Sequence, residues 1–173
     1  FIKGGYGGVW RRAGQYVNRG TPIYEKDWDV LIVLDACRAD LFGEVADDYD
    51  YIQSVDSTLS VGSRSNEWMR ENFTTEFNTQ IAETALITGN PFSEKVVDQS
   101  KFKLVDEVWK YAWDNEFGTI QPDPITDRAI DVSRNQRPEK MILHYMQPHF
   151  PFVPYPNMHP GIDLDNFGSL SVG

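Results

Sequence analysis

Uninterrupted apolar runs mark the predicted strands of this chain. Residues 30–34 are apolar without any polar alternation, which predicts a central parallel strand that is covered on both faces. Residues 51–56 predict a second, short strand. Residues 84–88, stopped by Gly89, Asn90 and Pro91, predict a third strand, and residues 140–146 predict a fourth.

Helical patterns lie between these runs. Residues 66–71 predict the first turns of a helix with acids near its amino end. Residues 102–113 are amphipathic, and residues 124–135 begin with the proline that is favoured at a helix start. The alternation of strands and helices predicts an α/β fold, a three-layer sandwich around a mainly parallel sheet. The two apolar helical stripes are Val105, Val108, Trp109 and Ala112, and Ile125, Ala129, Ile130 and Val132.

Length and composition are those of one globular domain. The chain has 173 residues and is 40% hydrophobic, with five Trp, eight Tyr and ten Phe, which is enough to bury a core. Residues 1–26 are rich in Gly, Arg and Tyr and predict an amino-terminal arm, and residues 27–173 predict the α/β domain. Both ends of the chain have the pattern of a fragment.

The charge of the chain restricts its partners. The formal net charge of -10 argues against nonspecific binding of nucleic acids, because phosphates would be repelled. No stretch approaches the roughly 18 apolar residues of a membrane span. We see no signal-peptide pattern, and this favours a cytoplasmic location.

Polar side chains follow three of the predicted strands. Asp35 ends the first strand, Asn90 follows the third, and His144 and His149 lie in and after the fourth. Ligands of parallel α/β sheets gather just beyond such strand ends. Asp35 is therefore placed either to hold a metal ion or a phosphate-like group, or to cap the helix that follows.

A loop rich in Ser and Gly, residues 57–65, leads into the next predicted helix. A hydroxyl at a helix amino terminus lies where backbone amides and the helix dipole favour negative charge. Ser65 is the hydroxyl that we place there as a nucleophile. Ser60 and Ser63 compete for the role, and each of the three serines could instead be an ordinary loop or cap residue.

This ordered set of segments resembles the amino-terminal half of the sulfatase-like branch of the alkaline phosphatase superfamily. The similarity covers about two thirds of the chain, and its segments are weak singly but fairly specific together. They are residues 29–40 (DVLIVLDACRAD), 60–68 (SVGSRSNEW), 88–91 (TGNP) and 144–151 (HYMQPHFP).

The resemblance implies an activity and a set of site residues. Asp35 matches the family's first metal-binding aspartate, Ser65 its nucleophile, and His149 a histidine that contacts the transferred group or the leaving oxygen. Arg38 and Asn90 are assigned to substrate binding. Arg38 could instead orient the loop around Asp35, and it fits a surface salt bridge at least as well. The implied cofactor is a divalent metal ion (Ca, Mg, Mn or Zn). The implied substrate is a small-molecule, glycan or lipid ester of phosphate or sulfate.

Two departures from the family pattern matter. Gly62 replaces a Pro or Ala of the sulfatase signature, and its initial Cys is absent, which disfavours a formylglycine sulfatase. The family's carboxy-terminal Asp-His-Gly segment does not occur after His149, and neither Asp163 nor Asp165 has an adjacent histidine. We therefore expect a fragment that is inactive alone. The alternative is a noncatalytic binding or assembly protein with the same fold, which uses the arm and residues 109–113 as contact surface.

Overall fold

The computed structural model describes residues 20–155, which form six strands and six α-helices. The strands are β1 (Val30–Leu34), β2 (Thr84–Thr88), β3 (Leu104–Glu107), β4 (Trp113–Asp114), β5 (Thr119–Ile120) and β6 (Lys140–Tyr145). The helices are α1 (Ala39–Ala46), α2 (Ser65–Asn72), α3 (Asn78–Glu83), α4 (Ser93–Val96), α5 (Trp109–Ala112) and α6 (Pro122–Asn135). Short 3₁₀ helices occupy Ile23–Glu25, Thr75–Phe77 and Gln99–Lys101.

Four strands form one parallel sheet in the order β1-β6-β2-β3. The predicted α/β architecture with a parallel sheet is confirmed at this level. All four strands point the same way, so their carboxyl ends meet at one edge of the sheet. β4 and β5 form a separate antiparallel pair.

Two apolar clusters cover the two faces of the sheet. On one face, Ile87 and Leu143 pack with Ile125 and Val132 of α6. On the other face, Leu86 and Ile142 pack with residues of α2 and α3, among them Met69. Successive residues of a strand point to opposite faces, so β2 and β6 contribute to both clusters and helices lie on both sides of the sheet.

β1 is not the covered central strand that its composition predicts. Among residues 20–155 it lies at the edge of the sheet, with β6 as its neighbour, and its alternate residues Val30, Ile32 and Leu34 are exposed. Within residues 20–155 the prediction is wrong, because an apolar run indicates which surfaces can be buried, not which surfaces these residues cover. Helix α6 packs over β6 and β2 and leaves this part of β1 open.

Two further predictions of secondary structure were wrong, one of a strand and one of a helix. Residues 51–56 pair with no strand and are mostly exposed. Residues 102–113 are not one helix, because residues 104–107 pair with β2 as strand β3 and only one helical turn follows, at Trp109–Ala112. Pairing with a buried neighbouring strand outweighs the local amphipathic pattern.

The predicted arm, residues 1–26, is described only from residue 20 onwards. Tyr24 in that part is buried against Phe77, and its hydroxyl donates to Thr84 Oγ1 at 3.2 Å. Burial raises the pKa of Tyr24 to about 12, against a smaller lowering by the Thr84 hydrogen bond. The end of the predicted arm is thus part of the core. The rest of the arm, Asp163 and Asp165 lie outside the described residues.

None of the helices between residues 20 and 155 combines the length and the apolar character needed to cross a lipid bilayer.

Candidate functional site

Three segments converge on one carboxylate at the carboxyl edge of the sheet. Asp35 follows β1, Ser65 begins α2 and Asn90 follows β2. Ser65 Oγ donates a hydrogen bond of 3.0 Å to Asp35 Oδ2, and Asn90 Nδ2 donates one of 2.8 Å to the same oxygen. The structure therefore brings together three of the residues that the sequence singles out, across separations of 30 and 55 residues.

The position of Asp35 is set by the sheet and by a turn behind it. Its backbone N–H donates to Tyr145 O at 3.1 Å, which extends the β1–β6 ladder by one residue. Ala36 then has φ 60°, in the left-handed region where a non-glycine residue costs about 1–3 kcal/mol. This turn ends the strand at the acid, and the Cys37 N–H donates back to Leu34 O.

The structure separates the three competing serines. Ser60 Oγ donates to Gly62 O at 2.7 Å, and Ser63 donates from both its backbone N and its Oγ to Glu67 Oε2. Both hydroxyls therefore take part in local loop contacts. Ser65 is the one whose hydroxyl contacts Asp35, at the first position of an eight-residue helix, where the helix dipole favours negative charge.

Gly62 explains how the serine loop reaches this position. A Cβ at residue 62 would lie 2.5 Å from Trp68 N and 2.9 Å from Glu67 C. Both atoms belong to the backbone of α2, so a side chain would displace the helix that carries Ser65. Glycine at position 62 is thus a structural requirement of this loop.

The side-chain amide of Asn90 is fixed on both sides. Its Oδ1 accepts from Phe92 N at 2.9 Å, while its Nδ2 donates to Asp35. The residue is buried, and its backbone N–H donates to Thr88 Oγ1. In this arrangement Asn90 orients Asp35, and its assignment to substrate binding stays a prediction.

His144, which the sequence places within the fourth predicted strand, is a neighbour of the site. Its side chain is in the core, with 1% of the residue exposed, but its Nε2 also lies 3.7 Å from Asp35 Oδ2. The ring packs edge-on against Trp68, and its Nδ1 has no hydrogen-bond partner among the described residues. The register of the sheet explains why His144 lies at the site. Residue 144 pairs with Val33 of β1 and with Thr88 of β2, close to the ends of both strands.

These neighbours keep Asp35 ionised. Burial is the largest single influence and raises the pKa of Asp35, but the contact with His144, the attraction to its charge, the Ser65 hydrogen bond and the charge of His149 together outweigh it. The net pKa of Asp35 lies below its usual value. The carboxylate is thus negative at neutral pH and accepts charge-assisted hydrogen bonds.

The contacts of His149 and Arg38 are with residues close to them in the chain. His149 follows β6 in a segment with cis peptide bonds before Pro148 and Pro151, and its Nδ1 contacts Phe150 O. A positive charge on this ring lowers the pKa of Asp35. Arg38 forms an exposed ion pair with Asp40, the surface arrangement that the sequence also allowed, and its role with substrate stays a prediction.

The described residues form only part of a metal site. Within residues 20–155 no group of three or more His, Cys, Asp or Glu side chains could hold a metal ion. At the cluster, Asp35 brings one carboxylate, His144 one imidazole and Ser65 one hydroxyl. Asn90 brings one amide oxygen that already accepts a hydrogen bond from Phe92 N. Tight binding of a divalent ion takes several carboxylate or imidazole ligands. These residues alone do not fit a closed site.

Comparison with known proteins gives no relative for this chain. No protein-family model, no curated protein and no solved structure matches it.

Proposed function

We propose that this chain carries the nucleophile part of an enzyme that hydrolyses or transfers phosphate or sulfate esters, with Ser65 as the nucleophile. The observation that supports this most strongly is the hydrogen bond from Ser65 Oγ to Asp35 Oδ2 at the start of α2. It joins a hydroxyl, an ionised acid and a helix amino terminus in one place. Substrates in this proposal are small-molecule, glycan or lipid esters.

The proposed reaction begins with attack by Ser65 Oγ on the phosphorus or sulfur of the ester. The new Oγ–P or Oγ–S bond forms as the bond to the leaving oxygen breaks, and the Ser65 hydroxyl gives up its proton to solvent as its oxygen attacks. Water or an acceptor alcohol then cleaves the covalent serine ester and restores the hydroxyl. His149 is proposed to contact the transferred group or the leaving oxygen.

The low pKa of Asp35 limits what this pair does alone. A carboxylate whose pKa is lowered is a weak base, so proton transfer from a serine hydroxyl is strongly uphill without another positive charge nearby. The proposal therefore includes a divalent cation (Ca, Mg, Mn or Zn), with Asp35 as one ligand and further ligands from outside the described residues. Bound there, such an ion would neutralise negative charge on the ester and on the serine oxygen.

The test of this proposal is Ser65→Ala in the natural full-length polypeptide that contains this chain. Aryl phosphates and aryl sulfates would be assayed with each of the four cations, and the covalent serine ester would be sought by mass spectrometry of the peptide that contains residue 65. We expect Ser65→Ala to lower turnover by about 10³-fold or more and to remove the adduct.

Ser63→Ala is the matched control, because the Ser63 hydroxyl contacts Glu67 and not Asp35. It should keep turnover within a few-fold of the unmodified protein. Unchanged turnover in Ser65→Ala, or an adduct on Ser60 or Ser63, would contradict the proposal. Complete absence of ester cleavage and of cation binding in the full-length protein would instead favour the noncatalytic alternative.

A further inference from the structure

One face of β1 is apolar and uncovered. Val30, Ile32 and Leu34 are 49%, 57% and 39% exposed. Residues paired in register point to the same face of a sheet, and Val30 and Ile32 pair with Met141 and Leu143. Those two partners are buried in the cluster that α6 covers, so the open patch continues a face that is elsewhere part of the core.

The free edge of β1 adds a second open surface. Among residues 20–155, β1 pairs on one side with β6 and has no strand on its other side. Sheet edges that face solvent are normally protected by charged residues, proline or bulges. β1 has none of these features over Val30–Leu34. Its five residues instead have the composition of a strand buried on both sides.

The handedness of the sheet shows how this surface can be covered. The connections from β1 to β2 and from β2 to β3 run towards the β3 edge, over the face that contains Met69 and Phe102. The connection from β3 to β6 runs back towards β1, over the opposite face, and includes α6. Two crossover connections that run in opposite directions across opposite faces of a sheet have the same handedness. Connections between parallel strands are expected to share one handedness.

The same rule applies to a strand placed beyond β1. A connection from β6 to that strand would again run in the β3-to-β1 direction, and with the same hand it must cross the α6 face. That path passes directly over Val30, Ile32 and Leu34. The exposed apolar face and the crossover rule therefore both indicate that a connecting segment covers the α6 face of β1.

We propose that a helix and then a strand, supplied by polypeptide that follows residue 173, complete this side of the sheet. The helix covers Val30, Ile32 and Leu34, and the strand pairs parallel to the free edge of β1. Residues 1–19 and 156–173 contain no more than two consecutive apolar residues, whereas a buried strand needs a run of about four to eight. Because β1 ends at Asp35, the carboxyl end of the added strand would adjoin the candidate site.

The first test is hydrogen exchange of the β1 amides. The 173-residue chain would be compared with the natural longer polypeptide under identical conditions. We expect the exchange of residues 30–34 to slow by about tenfold or more in the longer protein, because new hydrogen bonds and a covering helix protect them. Equal exchange in the two proteins would overturn the proposal, as would a natural polypeptide that stops at residue 173.

The second test compares Ile32→Thr with Ile130→Thr. Both residues are exposed β-branched side chains in the described structure, and threonine keeps the branching while adding a hydroxyl. We expect both variants to leave the melting temperature of the 173-residue chain nearly unchanged. In the longer protein, Ile32→Thr should lower the melting temperature by several degrees and Ile130→Thr should not.

Equal effects of the two variants in the longer protein would contradict the proposal. A 173-residue chain that is dimeric in sedimentation, with β1 amides already protected, would assign the surface to a second copy of the chain instead. None of these measurements uses enzymatic activity, and the inference rests on the fold alone. A negative result in the Ser65→Ala test therefore does not contradict the proposed completion of the sheet. Negative results in the hydrogen-exchange and melting experiments likewise do not contradict the proposed function.

Discussion

At the scale of single residues, the candidate site centres on the oxygen atom Asp35 Oδ2. It accepts hydrogen bonds from Ser65 and Asn90 and lies 3.7 Å from the His144 ring. Asn90 is itself held by Phe92 N, so the carboxylate cannot rotate without breaking contacts on several segments. This arrangement fixes the orientation of the Ser65 hydroxyl, which the proposed role as nucleophile requires.

The lowered pKa of Asp35 predicts a specific loss of stability in acid. The ionised form is favoured in the folded state, so its contribution is present above the unfolded pKa of about 4 and is lost as pH falls through the folded pKa. We expect Asp35→Asn to be less stable than the unmodified protein at neutral pH, and we expect the difference to shrink as the solution is acidified. Urea unfolding at a series of pH values measures this difference.

Asp127→Asn serves as the control, because Asp127 is exposed on α6, away from the cluster. The free energy of unfolding of this variant should follow that of the unmodified protein at every pH. A gap between Asp35→Asn and the unmodified protein that stayed constant, or widened, in acid would show that the Asp35 contacts do not depend on its ionisation.

At the scale of elements, alanine substitutions at two glycines are expected to change the free energy of unfolding in opposite directions. Gly62→Ala would place a Cβ 2.5 Å from the backbone of α2, whereas Gly43→Ala adds a Cβ with no atom within 4 Å on helix α1. We expect Gly62→Ala to lower the free energy of unfolding by about 1–3 kcal/mol. Gly43→Ala should raise it by about 0.5–1 kcal/mol, because alanine favours the helix.

Urea denaturation of both variants measures these effects. Under the proposed function, Gly62→Ala should also reduce ester turnover, since it shifts the helix that carries Ser65. A Gly62→Ala protein as stable as Gly43→Ala would mean that the loop accommodates a side chain without moving α2.

Helix α6 allows a similar comparison between its buried and exposed sides. Ile125 is fully buried against the sheet, whereas Ile130, which the sequence placed on the inner stripe, is 43% exposed. Ile125→Ala should cost about 2–5 kcal/mol through the cavity that it leaves. Ile130→Ala should cost much less. Calorimetric or urea unfolding would measure both, and equal losses would contradict the packing described here.

At the scale of the whole molecule, the net charge of -10 predicts that salt stabilises the protein. Acidic residues outnumber basic ones by 26 to 16, and self-repulsion destabilises a compact state. The repulsion is screened beyond about 10 Å at 0.1 M salt. We expect the melting temperature to rise with KCl concentration, and more than in sucrose of equal osmolality. An equal rise of the melting temperature in KCl and in sucrose would show that exclusion of the solute from the protein surface, and not screening of charge, stabilises the protein.

The sequence by itself determined the elements whose formation depends on local pattern. The apolar runs of β1, β2 and β6 were sufficient to predict those strands, because backbone preference and side-chain periodicity act over a few residues. A starting proline also predicted helix α6, although the helix begins at Pro122 and not at the predicted Pro124. The position of Asp35 directly after an apolar strand was also visible, and with it the prediction of a site at the carboxyl edge of a parallel sheet.

The tertiary structure alone decided which surfaces meet. Strand β3 forms because residues 104–107 pair with β2. Within residues 20–155, β1 lies at an edge because it pairs only with β6. Ser65 differs from Ser60 and Ser63 because helix α2 places its hydroxyl against Asp35. These outcomes depend on contacts between residues far apart in the chain. No local propensity encodes such contacts, because their free energy exists only once the sheet has brought the segments together.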